Sequence, residues 1–262
     1  VDTVPYSDPF EGDLEFWDAL EAAVMGASPP ALVYLVHPHF PTGFKAQDLG
    51  SRLCGLVAKC SGKVLFAVDQ TYLGFTEPTE DDKILETLAT TSDAVVLVRS
   101  LSKVEGLAAL RVGYAVGSRD TANKIAGGLP FAGGLYMSEL ALESAAAALS
   151  GSAAKRHRQD VLNFYVSEQA WLRSQLEALG LSTTSSPCPF FMVRGPKVPI
   201  EAAVAAGAAL LRFDLPDADG KEGVSAVCLV ESRASNMETL EVLRQALDEP
   251  AVAESFPKIE IP

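Results

Sequence analysis

The sequence predicts an α/β fold, a mainly parallel sheet sandwiched by helices, with a smaller α+β domain at the C-terminal end. Three observations carry this. Short continuous apolar runs at Ala31–Val36, Val64–Val68 and Ala94–Val98 have the composition of strands buried on both faces. Segments with apolar residues at helical spacing lie between those runs, and strands alternating with helices indicate βαβ units. Beyond Gly151 the pattern changes to one long helix followed by a separate set of strands. The expected division is therefore a large domain over residues 1–150 and a small one over 151–262.

Taken in order, residues 1–12 carry Pro5, Pro9 and Gly12 and read as an extended connector. Leu14, Trp17, Leu20 and Val24 recur at helical spacing, with Asp13 placed to cap that helix. The Ala31–Val36 strand ends in His37-Pro38-His39-Phe40-Pro41-Thr42-Gly43. Leu49, Leu53, Leu56, Val57 and Cys60 form one apolar stripe, so a covering helix follows. Val64–Val68 ends in Asp69-Gln70-Thr71-Tyr72, and Ile84, Leu85 and Leu88 mark a short helix before the next strand. That strand runs into Arg99-Ser100-Leu101-Ser102-Lys103, and a further apolar run, Val112–Val116, follows Arg111. The glycine-rich stretch from Lys124 to Gly134 reads as irregular, and Glu139–Leu149 as an alanine-rich helix. In the second domain a helix is expected from about Ala153 to Leu179, with Val161, Tyr165, Leu172, Leu176 and Leu179 on one face. Its opening Lys155-Arg156-His157-Arg158 reads as a solvated charge run. Phe190–Val193, Ala209–Phe213 and Val224–Val230 are strands, and Met237–Leu247 is the closing helix.

The 262 residues are 48% hydrophobic and 21% charged, a globular composition with enough apolar mass for a core. Lys and Arg total 21 against 34 Asp and Glu, a net charge of -13 that repels nucleic acid and anionic membrane. No apolar run reaches membrane-spanning length, and no signal-peptide pattern opens the chain. Cys54, Cys60, Cys188 and Cys228 are scattered, without disulfide or metal-ligand spacing. These features together predict a cytoplasmic protein. No glycine-rich nucleotide loop follows any strand. A His37-x-His39 pair lacks a third ligand, so no metal site is expected.

The chemistry concentrates at the carboxyl ends of the first three strands, the edge where open α/β sheets bind ligands. A loop lysine is ordinarily solvated. Lys103, however, has Ser100, Ser102 and Arg111 around it: two hydroxyls and a guanidinium fork suited to a phosphate dianion. An amine in a desolvated cleft can form a Schiff base.

The segment from Ser100 through Ser102-Lys103, Gly106-Leu107 and Arg111 to Gly113-Tyr114 resembles the lysine segment of fold-type I pyridoxal-phosphate-dependent aminotransferases. The likeness is to class I/II, the branch that includes histidinol-phosphate aminotransferases. Asp69-Gln70-Thr71-Tyr72 is similar to that family's aspartate-x-x-tyrosine segment. The resemblance implies pyridoxal 5'-phosphate as cofactor and Lys103 as the catalytic lysine. Asp69 would pair with the pyridine nitrogen and Tyr72 with the phenolic oxygen, while Ser100, Ser102 and Arg111 would hold the phosphate. It also implies an aminotransferase-like fold, an amino-acid or amine substrate, and a homodimer with the site near its interface.

Three departures accompany the likeness. Phe40 stands where the family's asparagine-proline-threonine-glycine turn has its asparagine, so one hydrogen bond to the phenolic oxygen is absent. Val227 stands where the family has the arginine that grips a substrate α-carboxylate, and nearby Arg212 and Arg233 read as surface or structural arginines. The long segment that precedes Ala31 in the family, with its phosphate-binding glycine turn, has no match here; the sequence is either a fragment or a protein with a reduced site. Weak cofactor binding and poor transamination of common α-amino acids are expected. Decarboxylation, elimination or cyclisation on the same cofactor, and a non-catalytic binding role, remain open alternatives.

Overall fold

The computed structural model describes residues 16–60, 64–129, 137–213 and 223–248. They form two compact units: residues within 16–40 and 45–162, and residues within 41–44 and 163–248. The division falls inside helix α6 (Gly151–Ala178), past the change of sequence pattern at Gly151.

In the first unit α1 (Phe16–Gly26) precedes β1 (Ala31–Val36), α2 (Leu49–Cys60) and β2 (Val64–Asp69). A short 3-10 turn (Leu73–Phe75), α3 (Glu80–Thr91), β3 (Val95–Ser100), a second 3-10 turn (Ala108–Leu110) and β4 (Gly113–Val116) come next, followed by α4 (Arg119–Gly128) and α5 (Glu139–Leu149). The sheet order is β1-β2-β3-β4. β1, β2 and β3 are parallel, so their carboxyl ends share one edge, and β4 returns antiparallel to β3. The amino end of β4 therefore meets that same edge, with Gly113 opposite Ser100.

Burial alternates along these strands more than their unbroken apolar runs suggest. Phe66, Val68, Val95 and Leu97 are buried, whereas Leu32, Tyr34 and Val98 on the opposite face are exposed. The reason is the two-residue period of a strand. α3 packs on β3 and β4, and α2 packs on α3. α2 buries Leu49, Leu53, Leu56 and Cys60, the stripe its sequence contains, but Ile84 of α3 is exposed.

Sequence chemistry sets the helix ends. Thr79 caps α3 through the Asp82 N–H, and the Asp82 carboxylate accepts from the Thr79 N–H, a reciprocal capping box. Neighbouring Asp81 reaches across to α2, accepting from the Gly50 N–H at 2.6 Å and the Ser51 N–H at 3.0 Å. Gly127 and Gly128, read from sequence as irregular, instead form the last residues of α4, where glycine is a good stop. Asp13, Leu14, Pro130, Gly133 and Gly134 lie outside the described residues.

The second unit takes the later part of α6, then β5 (Ser182–Thr183), β6 (Phe190–Pro196), α7 (Lys197–Ala205), β7 (Leu210–Phe213), β8 (Gly223–Leu229) and α8 (Arg233–Asp248). Its sheet is antiparallel, in the order β5-β6-β8-β7. Leu172, Leu176, Phe191, Val193, Ile200 and Leu243 are at the centre of its core.

Candidate active site

The shared carboxyl edge of β1–β3 brings together three of the side chains singled out from sequence. Tyr72, three residues past β2, stacks with Phe40, ring centroids 6.2 Å apart and planes 15° apart. Over the same tyrosine ring lies Lys103, its Nζ 5.0 Å from the centroid. That cation–π contact is worth about 0.5–1 kcal/mol at an exposed site. Lys103 is exposed and has no ion pair among the described residues. Phe40, Tyr72 and Lys103 thus form one stack drawn from the ends of three strands.

Asp69 ends β2 on the same edge, and both its carboxylate oxygens are engaged. Oδ1 accepts from the Thr71 N–H at 2.8 Å, and Oδ2 accepts from the Tyr34 hydroxyl. Partial burial, the bond to Asp69 and the charge of that carboxylate push the Tyr34 phenol up to about 12, so it stays a donor at neutral pH. A carboxylate offers about four acceptor positions, which leaves Asp69 capacity for a ring N–H.

At the end of β3, Ser100 Oγ accepts from the Ser102 N–H at 3.1 Å, closing a hydroxyl-stabilised turn into Lys103. The Leu101 N–H donates to the Val112 carbonyl at 3.1 Å, tying this turn to the start of β4. Gly113 is required there, because a Cβ would sit 2.6 Å from the Arg99 carbonyl oxygen. Arg111 occupies a left-handed backbone conformation (φ 52°, ψ 47°), at a cost of about 1–2 kcal/mol for a residue with a side chain. Its backbone lies beside the serine turn, but its guanidinium bonds the Ala108 carbonyl at 3.0 Å.

His37, at the end of β1, donates its main-chain N–H to the Asp69 carbonyl at 2.8 Å. Its imidazole is 5% exposed and is lowered to about 4, first by burial and then by the charge of Lys45. Lys45 pairs with Asp82 at 2.9 Å. Burial pushes the Asp82 carboxyl up, but bonds from Lys45 and Thr79 outweigh that and hold it below its ordinary value. Burial lowers His39 as well. Among the described residues no three metal-ligating side chains cluster, and no helix is long and apolar enough to cross a membrane. None of the four cysteines forms a disulfide.

In the second unit Val227 is fully buried in β8, with Met192 and Leu211 opposite it on the flanking strands. A valine there is apolar and buried and cannot grip a carboxylate. Arg233 is held by Glu168: its Nε lies 2.9 Å from Oε2 and its Nη2 2.8 Å from Oε1, and its guanidinium is 3.8 Å above the Trp171 ring. Hydrogen bonding from Arg233 outweighs burial and holds the Glu168 carboxyl below its ordinary value. Arg194 places its Nε 3.4 Å from Ser225 Oγ.

Two contributors are not apparent from sequence. Tyr34 is hidden in an apolar run, although Val36 pairs with Asp69 and two-residue alternation puts Tyr34 and Asp69 on one face. Glu168 lies between Tyr165 and Leu172 on the apolar stripe of α6, and a carboxylate at such a position signals a buried partner.

Comparison with known proteins gives a consistent result. The profile of the family described as aminotransferase class I and II matches residues 1–216. A histidinol-phosphate aminotransferase of Psychrobacter arcticus is 32% identical over 182 residues, 67% of this chain and 43% of that protein. Another, from Sphingopyxis alaskensis, is 34% identical over 169 residues, 62% of this chain and 41% of that protein. The chain spans about half the length of the curated relatives it matches. Among solved structures, the Sinorhizobium meliloti histidinol-phosphate aminotransferase in complex with pyridoxal-5'-phosphate superposes with a TM-score of 0.72 at 22% identity, covering 98% of this chain and 65% of that one.

Proposed function

Because this chain belongs to the class I and II aminotransferases, we propose that it performs pyridoxal-phosphate-dependent amino transfer on an amino acid or amine, with Lys103 as the covalent anchor. The observation that carries this reading is the stack of Phe40, Tyr72 and Lys103 on the strand edge that also presents Asp69. The groups present suit the cofactor: an amine without an ion pair among the described residues, a carboxylate with acceptor capacity to spare, and two serines with an arginine on the adjoining turn. Pyridoxal phosphate, when bound, supplies an aldehyde carbon that takes up an amine and a ring that accepts electrons.

Lys103 would hold that carbon and, once displaced by a substrate amine, move the proton at the substrate Cα. Asp69 would accept from the ring N–H and keep it protonated, and the Tyr72 hydroxyl would bond the phenolic oxygen. Ser100, Ser102 and Arg111 would take the phosphate, with Phe40 lining the ring's edge but donating nothing. Residues 1–150 would belong to the cofactor-binding domain and 151–262 to the small domain. A cytoplasmic homodimer completes the reading, supported by the family and by cysteines that form no disulfide.

Val227 favours a substrate that needs no arginine clamp on an α-carboxylate. Histidinol phosphate, named for the relatives, is such an amine. Other chemistry on the same cofactor is the second reading, and it rests on the same residue. Titration of the protein with pyridoxal phosphate, followed by single-turnover assays, tests the proposal. Histidinol phosphate should convert at least about tenfold faster than glutamate, aspartate or alanine, since a charge-assisted clamp is worth over 1 kcal/mol. Failure to bind the cofactor would overturn the proposal. Rapid conversion of any α-amino acid would overturn the role given to Val227.

A further inference from the structure

The charge run that opens α6 is only partly solvated. Of its four residues, Lys155, Arg156 and His157 are exposed and Arg158 is half-buried, but His157 and Arg158 both reach back onto the elements that carry the candidate site. His157 Nε2 lies 3.0 Å from the Val104 carbonyl oxygen, so that nitrogen must carry the proton and donate. Arg158 Nη2 donates to the Thr76 carbonyl at 3.1 Å. Val104 follows Lys103 directly, in a turn closed by the Gly106 N–H on the Lys103 carbonyl at 3.0 Å. The Val104 side chain rests in a notch above Gly74, where a Cβ would come within 2.3 Å of Val104 Cγ1. The lysine turn is therefore tied to α6 and to the segment that carries Tyr72.

Behind the same turn is a cavity of about 200 Å³, lined by Gln70, Gly74, Leu101, Glu105 and Arg158 among others. Two buried polar atoms of its lining residues have no hydrogen-bond partner among the described residues: Gln70 Nε2 and Glu105 Oε2. Gln70 is 2% exposed, and its other amide atom is occupied by Arg99 Nε at 2.9 Å. A buried orphan of this kind destabilises the arrangement that contains it. Here both orphans could be relieved by one movement, in which the turn sinks into the cavity until the Glu105 carboxylate accepts from the Gln70 amide. Burial already raises the Glu105 carboxyl, against the opposing effects of its own backbone N–H, Arg158 and His157. Lys103, two residues from Glu105, would withdraw from the Tyr72 ring in the same movement.

We propose that His157 is a positioning residue that holds the Lys103 turn forward, against a retracted state in which Glu105 and Gln70 bond across the cavity. The inference rests on Lys103 as the reactive amine, and its test separates the two ideas. Two quantities are measured on the whole chain. One is the labelling rate of Lys103 by an acylating reagent without cofactor, read by peptide mass spectrometry. The other is the yield of borohydride-trapped pyridoxal phosphate on the same peptide. His157→Ala should lower both by about five- to tenfold, the worth of one hydrogen bond. His157→Gln, whose amide can reach the Val104 carbonyl, should restore most of the loss. Glu105→Ala in the His157→Ala background should also restore it, because the retracted state then has no bond to gain. Arg156→Ala, at an exposed neighbouring position, should leave both quantities unchanged. A purely structural role for His157 would show as a lowered thermal midpoint with no rescue by Glu105→Ala, and that result overturns the proposal. So does an unchanged labelling rate in His157→Ala. If labelling responds as stated but no cofactor adduct forms on wild-type Lys103, the positioning role stands and the proposed function fails.

Discussion

The Lys103 edge of the parallel sheet and the Val227 strand of the antiparallel sheet answer the same question in opposite ways. Each is a position where the family resemblance expects a polar group at work. At the first, the polar groups are present and partly exposed: Lys103 lies over Tyr72, Tyr72 stacks on Phe40, and Asp69 accepts from Tyr34. At the second, the side chain is apolar, fully buried and opposed by Met192 and Leu211. The arginine nearest in sequence, Arg233, is committed to Glu168 and Trp171. The contrast shows that likeness to a family is decided site by site, since one strand end keeps the polar residues of the motif while another strand has an apolar, buried residue in place of one.

The largest expected effect sharpens that contrast directly. Val227→Arg should not restore a carboxylate clamp. It should destabilise the second unit by about 4 kcal/mol or more, because an unpaired charge would enter a packed core. Urea unfolding measures this, and a stable variant with gained activity towards glutamate would show that the strand is a latent binding surface.

On the other side of the comparison, His37 sets an acid limit on the edge that carries Asp69. It is a base whose folded value, about 4, lies below the ordinary value of 6.5. The folded state therefore binds fewer protons than the unfolded state between those values. The stability this provides is complete above pH 6.5 and is lost as pH falls towards 4, amounting to roughly 3 kcal/mol. His37→Gln should flatten that part of the stability–pH curve; an unchanged slope would show that His37 is already hydrated in the fold.

Phe40→Asn should cost about 1 kcal/mol through the lost ring stack on Tyr72. It should also move the pH at which the bound cofactor's absorbance titrates, by offering the phenolic oxygen a donor. An unmoved titration would make Phe40 a packing residue only.

The smallest effect concerns Glu168. Its folded value is depressed, so its stabilising contribution is present above the ordinary glutamate range and is lost as pH falls through the lowered value. The difference in thermal midpoint between wild type and Glu168→Gln should shrink on acidification to pH about 3. A constant difference would mean that the pair acts through packing on Trp171 and not through charge.

Much of this fold is legible in the amino-acid sequence. The β1 run matches its strand to the residue, and the stripe of α2 identifies its buried side, because period and composition are local properties. What stays hidden depends on register and on long-range partners. Tyr34 reads as one more apolar strand residue until pairing places it beside Asp69. His157 and Arg158 read as part of a solvated run, because nothing in their own segment announces the Val104 and Thr76 carbonyls 53 and 82 residues away. Gly127 and Gly128 signal irregularity but serve as a helix stop, since glycine is compatible with either. Of the candidate site, Lys103, Asp69, Tyr72, Ser100, Ser102 and Arg111 are legible as a motif. The ring stack of Phe40 on Tyr72 and the turn of the Arg111 guanidinium onto Ala108 are not.

Everything proposed for catalysis depends on the strand edge bearing Asp69 and Tyr72 presenting Lys103 as the covalent anchor of pyridoxal phosphate. The most direct measurement is to incubate the protein with stoichiometric cofactor, reduce with borohydride, digest, and locate the added mass by tandem mass spectrometry. A single dominant label on Lys103 is expected, abolished in Lys103→Ala and weakened in Asp69→Ala. Label scattered over exposed lysines such as Lys59, Lys83 and Lys124, at equal levels in wild type and Lys103→Ala, would contradict it.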